Sequence, residues 1–375
     1  MREATITLLG SGVCLGVYGP ALSTHAWFRE RGIASELVVL ESFWREGPQA
    51  DLLRTKSAFH GDFRLAMMGQ RMAKKAASTL DEAQVTALLA GWKREGRRRF
   101  VVFSGFWAPI LKRYLDCWPG EAIDVEICHM DAATPPSWRF NPVGDLAQEV
   151  RLFEGSTNAV SGFVEVSRET PLPWRERSPR LVIHGGGWGL GTYREKVRDL
   201  NDHGIGLDAV AYFDQDIEQL RNERNRVHMI DPEWRAWQRT ADGDHEFPPF
   251  GAVEGERAPV FQRSRRVPHL FEISRRDWAI VSKPGGSTLN DSLAAATPLV
   301  LLEPYGEHER VNADLWVSHG LGIRFDDWLA QGCAEEPLAE AHEKLLRLRS
   351  RLFVYQERYL RERQLASTGT CERQP

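Results

Sequence analysis

Residues 282–313 read SKPGGSTLNDSLAAATPLVLLEPYGEHERVNA, and this stretch decides the fold class. It leaves a short apolar strand at 278–281, passes the glycines at 285 and 286, and enters a helix at Ser287 and Thr288. A second apolar strand at 299–302 follows, then a polar loop ending in Asn312 and Ala313. The first turn of a helix has N–H groups without an intrahelical acceptor and carries the positive end of the helix dipole. Strand, glycine turn, helix and strand in this order therefore offer backbone N–H groups to a phosphate.

Working outward, the same unit recurs. The first half alternates a strand at 4–9, a glycine-rich loop at 10–19 and a helix from Pro20 to about Arg31 that stops at Gly32. A strand at 36–40, helical segments at 63–75 and 81–95, a strand at 100–103, a helix at 109–116 and a strand at 123–128 follow. Residues 167–179, SRETPLPWRERSP, place three prolines among mixed charges and read as a linker. The pattern then restarts: a strand at 181–184, a glycine loop at 185–191, a helix at 193–200, and strands at 207–212 and 227–230. Residues 234–262 lack periodicity and read as an excursion over a cleft. Leu338, Leu345, Leu346, Leu348 and Leu352 predict a helix over 335–363, and the tail after Leu365 frays.

The fold class is therefore α/β, with two Rossmann-like doubly wound domains facing across a cleft. The expected division is 1–166, linker 167–179, 180–334, and a terminal helix with tail, 335–375, packing back toward the first domain. A length of 375 residues suits two domains. With 42% hydrophobic residues the chain can bury full cores, and a net charge of −4 gives no general attraction to nucleic acid. The arginine clusters at 94–99 and 263–266 read as solvated faces. Five widely spaced cysteines, Cys14, Cys117, Cys128, Cys333 and Cys371, show no metal-ligand spacing and fit a reducing cytoplasm. No apolar run reaches the roughly 18 residues of a membrane span. The chain opens directly into a strand, so a cytoplasmic location is expected, with room for peripheral contact with a membrane surface.

On these residues the chain resembles the GT-B nucleotide-sugar glycosyltransferases: the UDP-glycosyltransferases, the antibiotic-tailoring glycosyltransferases and the lipid II-forming N-acetylglucosaminyltransferase. In those families a basic residue precedes a glycine turn, a Ser or Thr opens the helix, and an acid follows three residues later. The matching residues are Lys283, Gly285, Gly286, Ser287, Thr288 and Asp291. The resemblance implies that Lys283 meets a diphosphate as a point charge. Ser287, Thr288 and the glycine N–H groups cradle it, and Asp291 accepts from the ribose hydroxyls. Pro304 and Asn312-Ala313 keep the family's spacing. His308-Glu309 replaces its Asp-Gln pair, with Glu309 still able to accept from a sugar. The loop 184–191, HGGGWGLG, implies backbone contact to the donor through Gly186 and Gly187, with Trp188 either stacking on the base or packing between domains. Plain readings stand beside these: Thr288 and Asp291 have the spacing of a capping box, the glycines suit a tight turn, and Lys283 suits a solvated lysine.

The family's general base stands three residues before a proline in the loop after the first strand. That position is Val17, before Pro20, and valine takes no proton. Three explanations compete: the acceptor is an amine or other nucleophile that needs little deprotonation, another group (His25, His129, Asp131 or Tyr18) serves as base, or the chain binds without catalysis. Ser11, Gly12, Gly16, Val17, Tyr18, Ser104 and Phe106 are expected on the acceptor side. The implied reaction is inverting, metal-independent transfer from a UDP- or dTDP-sugar to a small-molecule or carrier-bound acceptor. The sugar nucleotide is a co-substrate and no further cofactor is implied; a natural-product role follows only from the family. A sugar-nucleotide epimerase of the same fold and a non-catalytic sugar-nucleotide-binding partner are the alternatives.

Overall fold

The computed structural model describes residues 5–13, 15–69, 79–120, 122–255 and 257–369. Cys14, Cys371 and the end of the helix expected over 63–75 lie outside them. Strands β1 (Ile6–Gly10), β2 (Ser35–Val39), β3 (Arg99–Val102), β4 (Asp124–His129) and β5 (Gln148–Arg151) form a parallel sheet in the order β2-β1-β3-β4-β5. Every residue of β1 is buried, as a strand covered on both faces requires. A hairpin of β6 (Phe153–Glu154) and β7 (Ala159–Val160) and the short β8 (Gly162–Phe163) lead out of this half.

The second sheet comprises β9 (Ser178–Ile183), β10 (Gly206–Ala211), β11 (Arg226–Ile230), β12 (Phe250–Ala252), β13 (Asp277–Ser282), β14 (Leu299–Leu301) and β15 (Gly322–Arg324). Its order is β12-β11-β10-β9-β13-β14-β15, parallel except at β12, which runs antiparallel to β11. The chain moves outward from β9 to β12, then returns to β13 on the other side of β9. The strand order thus reverses between β9 and β13, where an open α/β sheet binds ligands outside its carboxyl ends. The loops leaving that point are the two glycine loops of the sequence.

Several elements differ from expectation. The first helix runs Leu15–Glu30, so Gly16, Val17 and Tyr18 lie in its first turns and Pro20 sits inside it. Proline there removes one N–H from the helix ladder, and Thr24 Oγ1 donates to the Pro20 carbonyl at 2.8 Å. The helix Glu46–Gly61 was not anticipated, because its sequence is largely polar and only Phe59 and His60 are buried. The single helix expected over 335–363 is two, Glu336–Arg349 and Tyr355–Gly369. Between them β16 (Phe353–Val354) pairs parallel with β8. The second helix then seats on the first sheet: Tyr355 Oη donates to Glu126 Oε1 at 2.7 Å, and the Arg363 guanidinium forks onto Asp124 at 2.5 and 2.8 Å.

β9 opens at Ser178, inside the stretch expected as linker, and the residue before it anchors the crossing. Arg177 is 5% exposed and donates to the carbonyls of Leu172, Asp277, Ala295 and Ala296 and to Thr297 Oγ1, at 2.6–3.3 Å. Trp174 stacks on Trp278, with centroids 5.3 Å apart. Removing the guanidinium leaves several buried carbonyls without donors. Arg177→Ala is expected to lower unfolding stability by about 3 kcal/mol, measured by urea denaturation.

Candidate active site

The glycine turn 283–286 is held by the strand before it and the helix after it. Gly285 is the N-cap of the helix Gly286–Ala295, and no side chain caps it. The capping-box reading of Thr288 and Asp291 therefore does not hold. Asp291 stays half-buried, and burial pushes its carboxyl up to about 7. Lys283 Nζ lies 2.5 Å from Glu309 Oε1. A Cβ built on Gly186 or Gly285 would lie 3.7 or 3.6 Å from the same nitrogen. The ammonium thus sits between the two glycine loops, each of which approaches it with backbone alone. Glu309 is 3% exposed, and its second oxygen accepts from the Tyr305 N–H at 2.7 Å. Each oxygen thus already has one protein partner, an ammonium on one and a backbone N–H on the other.

His184 opens the other loop. Its Nδ1 accepts the Gly186 N–H at 3.0 Å, and burial together with the Lys283 charge pushes its pKa down to about 4. The ring is therefore neutral and carries its proton on Nε2. Gly187 packs on the first helix: a Cβ there would lie 2.3 Å from Leu15 Cβ. Trp188 is half-buried with its ring 6.4 Å from Phe59, so it packs between the halves. Phe59 belongs to a roof, the helices Glu46–Gly61 and Phe63–Gly69, that crosses to the second sheet. His60 Nε2 lies 2.7 Å from Asp216 Oδ1, both fully buried, and Arg194 bonds the same carboxylate at 2.7 Å. Tyr305 Oη donates to the Ala66 carbonyl at 3.0 Å.

The first half meets this turn directly. A Cβ on Gly286 would lie 2.2 Å from the Met130 carbonyl oxygen and 2.9 Å from Asp131 Oδ1. Asn312, fully buried, accepts from the Ala132 N–H at 2.7 Å and donates to Asp131 Oδ1 and to the Pro284 carbonyl, both at 2.9 Å. A Cβ on Gly19 of the first helix would lie 3.8 Å from Ser287 Oγ. The structure therefore gathers Lys283, Gly285, Gly286, Ser287, Gly186, Gly187, Glu309 and Asp131 at one place.

Other expected residues lie elsewhere or are occupied. His25 faces a separate cavity of about 440 Å³, with Nδ1 2.9 Å from Ser35 Oγ and Nε2 3.3 Å from Asp244 Oδ1; burial lowers its pKa to about 4. His129 pairs with Glu149 at 3.1 Å and packs on Trp138. Tyr18 is buried, donates to the Glu246 carbonyl at 2.7 Å, and has its hydroxyl pKa raised by burial. Neither histidine, nor Tyr18, is placed to take a proton at the glycine turn. Ser104 is buried, Phe106 packs against the core of the first sheet, and Gly105 between them abuts the backbone of Ser137. Val17 packs against the core and His308 is half-buried in the first turn of Glu307–Ser318.

Sequence reading missed Glu41. It is fully buried and takes Ser11 Oγ and the Gly12 N–H at 2.6 Å and the Val13 N–H at 3.2 Å, so it fixes the loop after β1. Ala236 and Trp237 of the excursion lie on that loop, where a Cβ on Gly12 would stand 2.7 Å from Ala236 Cβ and 3.4 Å from the Trp237 ring. An acid at the end of an apolar strand was the signal that could have revealed it.

Two results follow from this geometry. Alanine is a better helix residue than glycine by about 1 kcal/mol, yet Gly286→Ala is expected to lower the melting temperature and raise the radius of gyration in small-angle scattering, since its methyl drives the halves apart. Asp291 binds its proton more tightly folded than unfolded, where its pKa is about 3.9. Stability therefore falls as pH rises from about 4 to about 7. Asp291→Asn is expected to flatten that part of a pH–stability profile.

No family model matches the chain, and a search of curated proteins finds no match. Solved structures do match over nearly the whole chain. The spinosyn rhamnosyltransferase SpnG, solved with thymidine diphosphate, is 12% identical, with a TM-score of 0.57, over 96% of this chain and 100% of its own. The glycosyltransferase SnogD from Streptomyces nogalater is 14% identical, TM-score 0.53, over 97% and 100%. MurG from Acinetobacter baumannii is 12% identical, TM-score 0.53, over 96% and 98%. The two facing doubly wound sheets are thus the GT-B fold that these proteins share.

Proposed function

We propose that the chain is a nucleotide-sugar glycosyltransferase that moves a sugar from a UDP- or dTDP-sugar to a small-molecule or carrier-bound acceptor. One observation carries this reading: the Lys283 ammonium sits between two glycine loops beside a helix N-terminus, at the point where the strand order of the second sheet reverses. The N–H groups of the first helical turn and the lysine charge together suit a diphosphate. They also stabilise it as a leaving group without a metal ion. Asp291, one turn further on, suits the ribose hydroxyls. SpnG was solved with thymidine diphosphate, which agrees with a diphosphate donor.

Attack with inversion needs a group that takes the acceptor's proton. Of the acid and base residues expected from sequence, Asp131 alone stands at the glycine turn, on the side contributed by the first half. We assign it that role; Asn312 orients its Oδ1. The helices over 46–69 border the donor side through Phe59 on Trp188 and the Ala66 carbonyl on Tyr305. A first domain over 1–166, a second that opens with β9 at Ser178 and runs to 334, and the terminal segment 335–375 belong to the same proposal, with the cytoplasmic location and a role in natural-product synthesis.

The reading of the chain as a non-catalytic binding partner is favoured by Val17, which leaves the usual base position apolar. The two separate cleanly. A panel of UDP- and dTDP-sugars is expected to raise the melting temperature, since a ligand of the native state stabilises it. Asp131→Asn is expected to keep that shift while slowing donor hydrolysis and transfer by about 100-fold or more. A shift with no turnover in the unaltered protein would establish the binding partner, and no shift with any donor would sink both readings.

A further inference from the structure

We propose that Glu309 is a resident counter-ion of Lys283: it occupies the lysine until a nucleoside diphosphate displaces it, and so sets affinity for the diphosphate rather than contacting the sugar. The inference rests on the nucleotide-sugar reading above and adds a role that the resemblance does not supply, since the family's position holds an uncharged glutamine.

The geometry carries it. The carboxylate is 3% exposed, with one oxygen 2.5 Å from Lys283 Nζ and the other on the Tyr305 N–H at 2.7 Å. A largely buried ammonium without a counter-charge is costly, and Glu309 offsets that cost in the unliganded protein. The other groups nearby are committed elsewhere. The His184 ring is neutral, the Arg310 guanidinium is turned onto Glu307 and Asp314, and Asp131 Oδ1 takes the Asn312 amide. A Cβ on Gly285 would lie 3.4 Å from Glu309 Oε1 and 3.6 Å from the ammonium, and one on Gly186 3.7 Å from the ammonium, so both glycine backbones border the ion pair without side chains. An arriving diphosphate takes over the lysine's hydrogen bond; no covalent bond changes. Because the competitor is tethered, it acts at high effective concentration and weakens diphosphate binding.

The test compares UDP and dTDP with UDP- and dTDP-sugars by titration calorimetry. Glu309→Gln keeps an oxygen for the Tyr305 N–H but removes the charge. UDP or dTDP is expected to bind it about tenfold more tightly than the unaltered protein. The salt dependence should also steepen, because the berth gains a net positive charge. Lys283→Met alone would strand a buried carboxylate, so the coupling is read in the double variant Lys283→Met/Glu309→Gln, which is expected to lose that gain. Unchanged UDP and dTDP affinity with weaker binding of the nucleotide sugar would make Glu309 a sugar contact and overturn the proposal. A lower melting temperature with UDP and nucleotide sugar weakened equally would make it scaffold, which also overturns it. Failure of UDP and dTDP to bind the unaltered protein and both variants would instead overturn the nucleotide reading itself, and this inference with it.

Discussion

The carboxamide of Asn312 holds the cleft together. Its oxygen accepts the N–H of Ala132 in the first half, and its nitrogen donates to the Pro284 carbonyl in the second and to Asp131 across the gap. One fully buried side chain thus fixes the glycine turn against the end of β4. The contact is possible because Gly286 has no Cβ, which would collide with the Met130 carbonyl. A buried amide with its hydrogen bonds satisfied is a rigid element, since each unmade bond would cost its full desolvation. Beside it Ser287 faces Gly19, and the Lys283 ammonium lies between the two glycine loops on Glu309.

Around that fixed point the halves are joined by parts that differ in character. The terminal helix Tyr355–Gly369 seats on Glu126 and Asp124 through charged hydrogen bonds, and Arg177 pins the crossing segment to the second sheet. These contacts lie away from the glycine turn and tie the chain's end and its crossover into one body. The roof over the turn is built otherwise, from the buried His60, Asp216 and Arg194 group and the aromatic contact of Phe59 with Trp188. It leans on the second sheet while belonging to the first half, and so adds a second contact between the halves beside the one at Asn312.

The loop after β1 illustrates how much of such a site is indirect. Ser11, Gly12 and Val13 owe their arrangement to Glu41, thirty residues on from Ser11, whose buried carboxylate collects their donors. The excursion from the second half then closes over Gly12, and Ser42 Oγ donates to the Trp237 carbonyl at 3.1 Å. A region that read as an open acceptor loop is packed from both sides.

The sequence by itself determined the class of fold and the glycine turn after β13. Alternating apolar strands, the two glycine loops and the order Lys283, Gly285-Gly286, Ser287-Thr288, Asp291 are local patterns, and local backbone geometry follows from local residues. The helix break at 350–354 was hidden because leucine spacing reports burial and says nothing of β16 pairing with β8. The helix Glu46–Gly61 was hidden because its buried face lies against another part of the chain and not its own sheet. Only the tertiary structure decided which acids and bases stand at the turn. His25 and His129 are spent on Asp244 and Glu149, Glu309 is bound to Lys283, and Asp131 is carried to Gly286 by a contact spanning more than 150 residues of sequence. Proton-transfer roles depend on distance and burial across that span, and no local pattern encodes either.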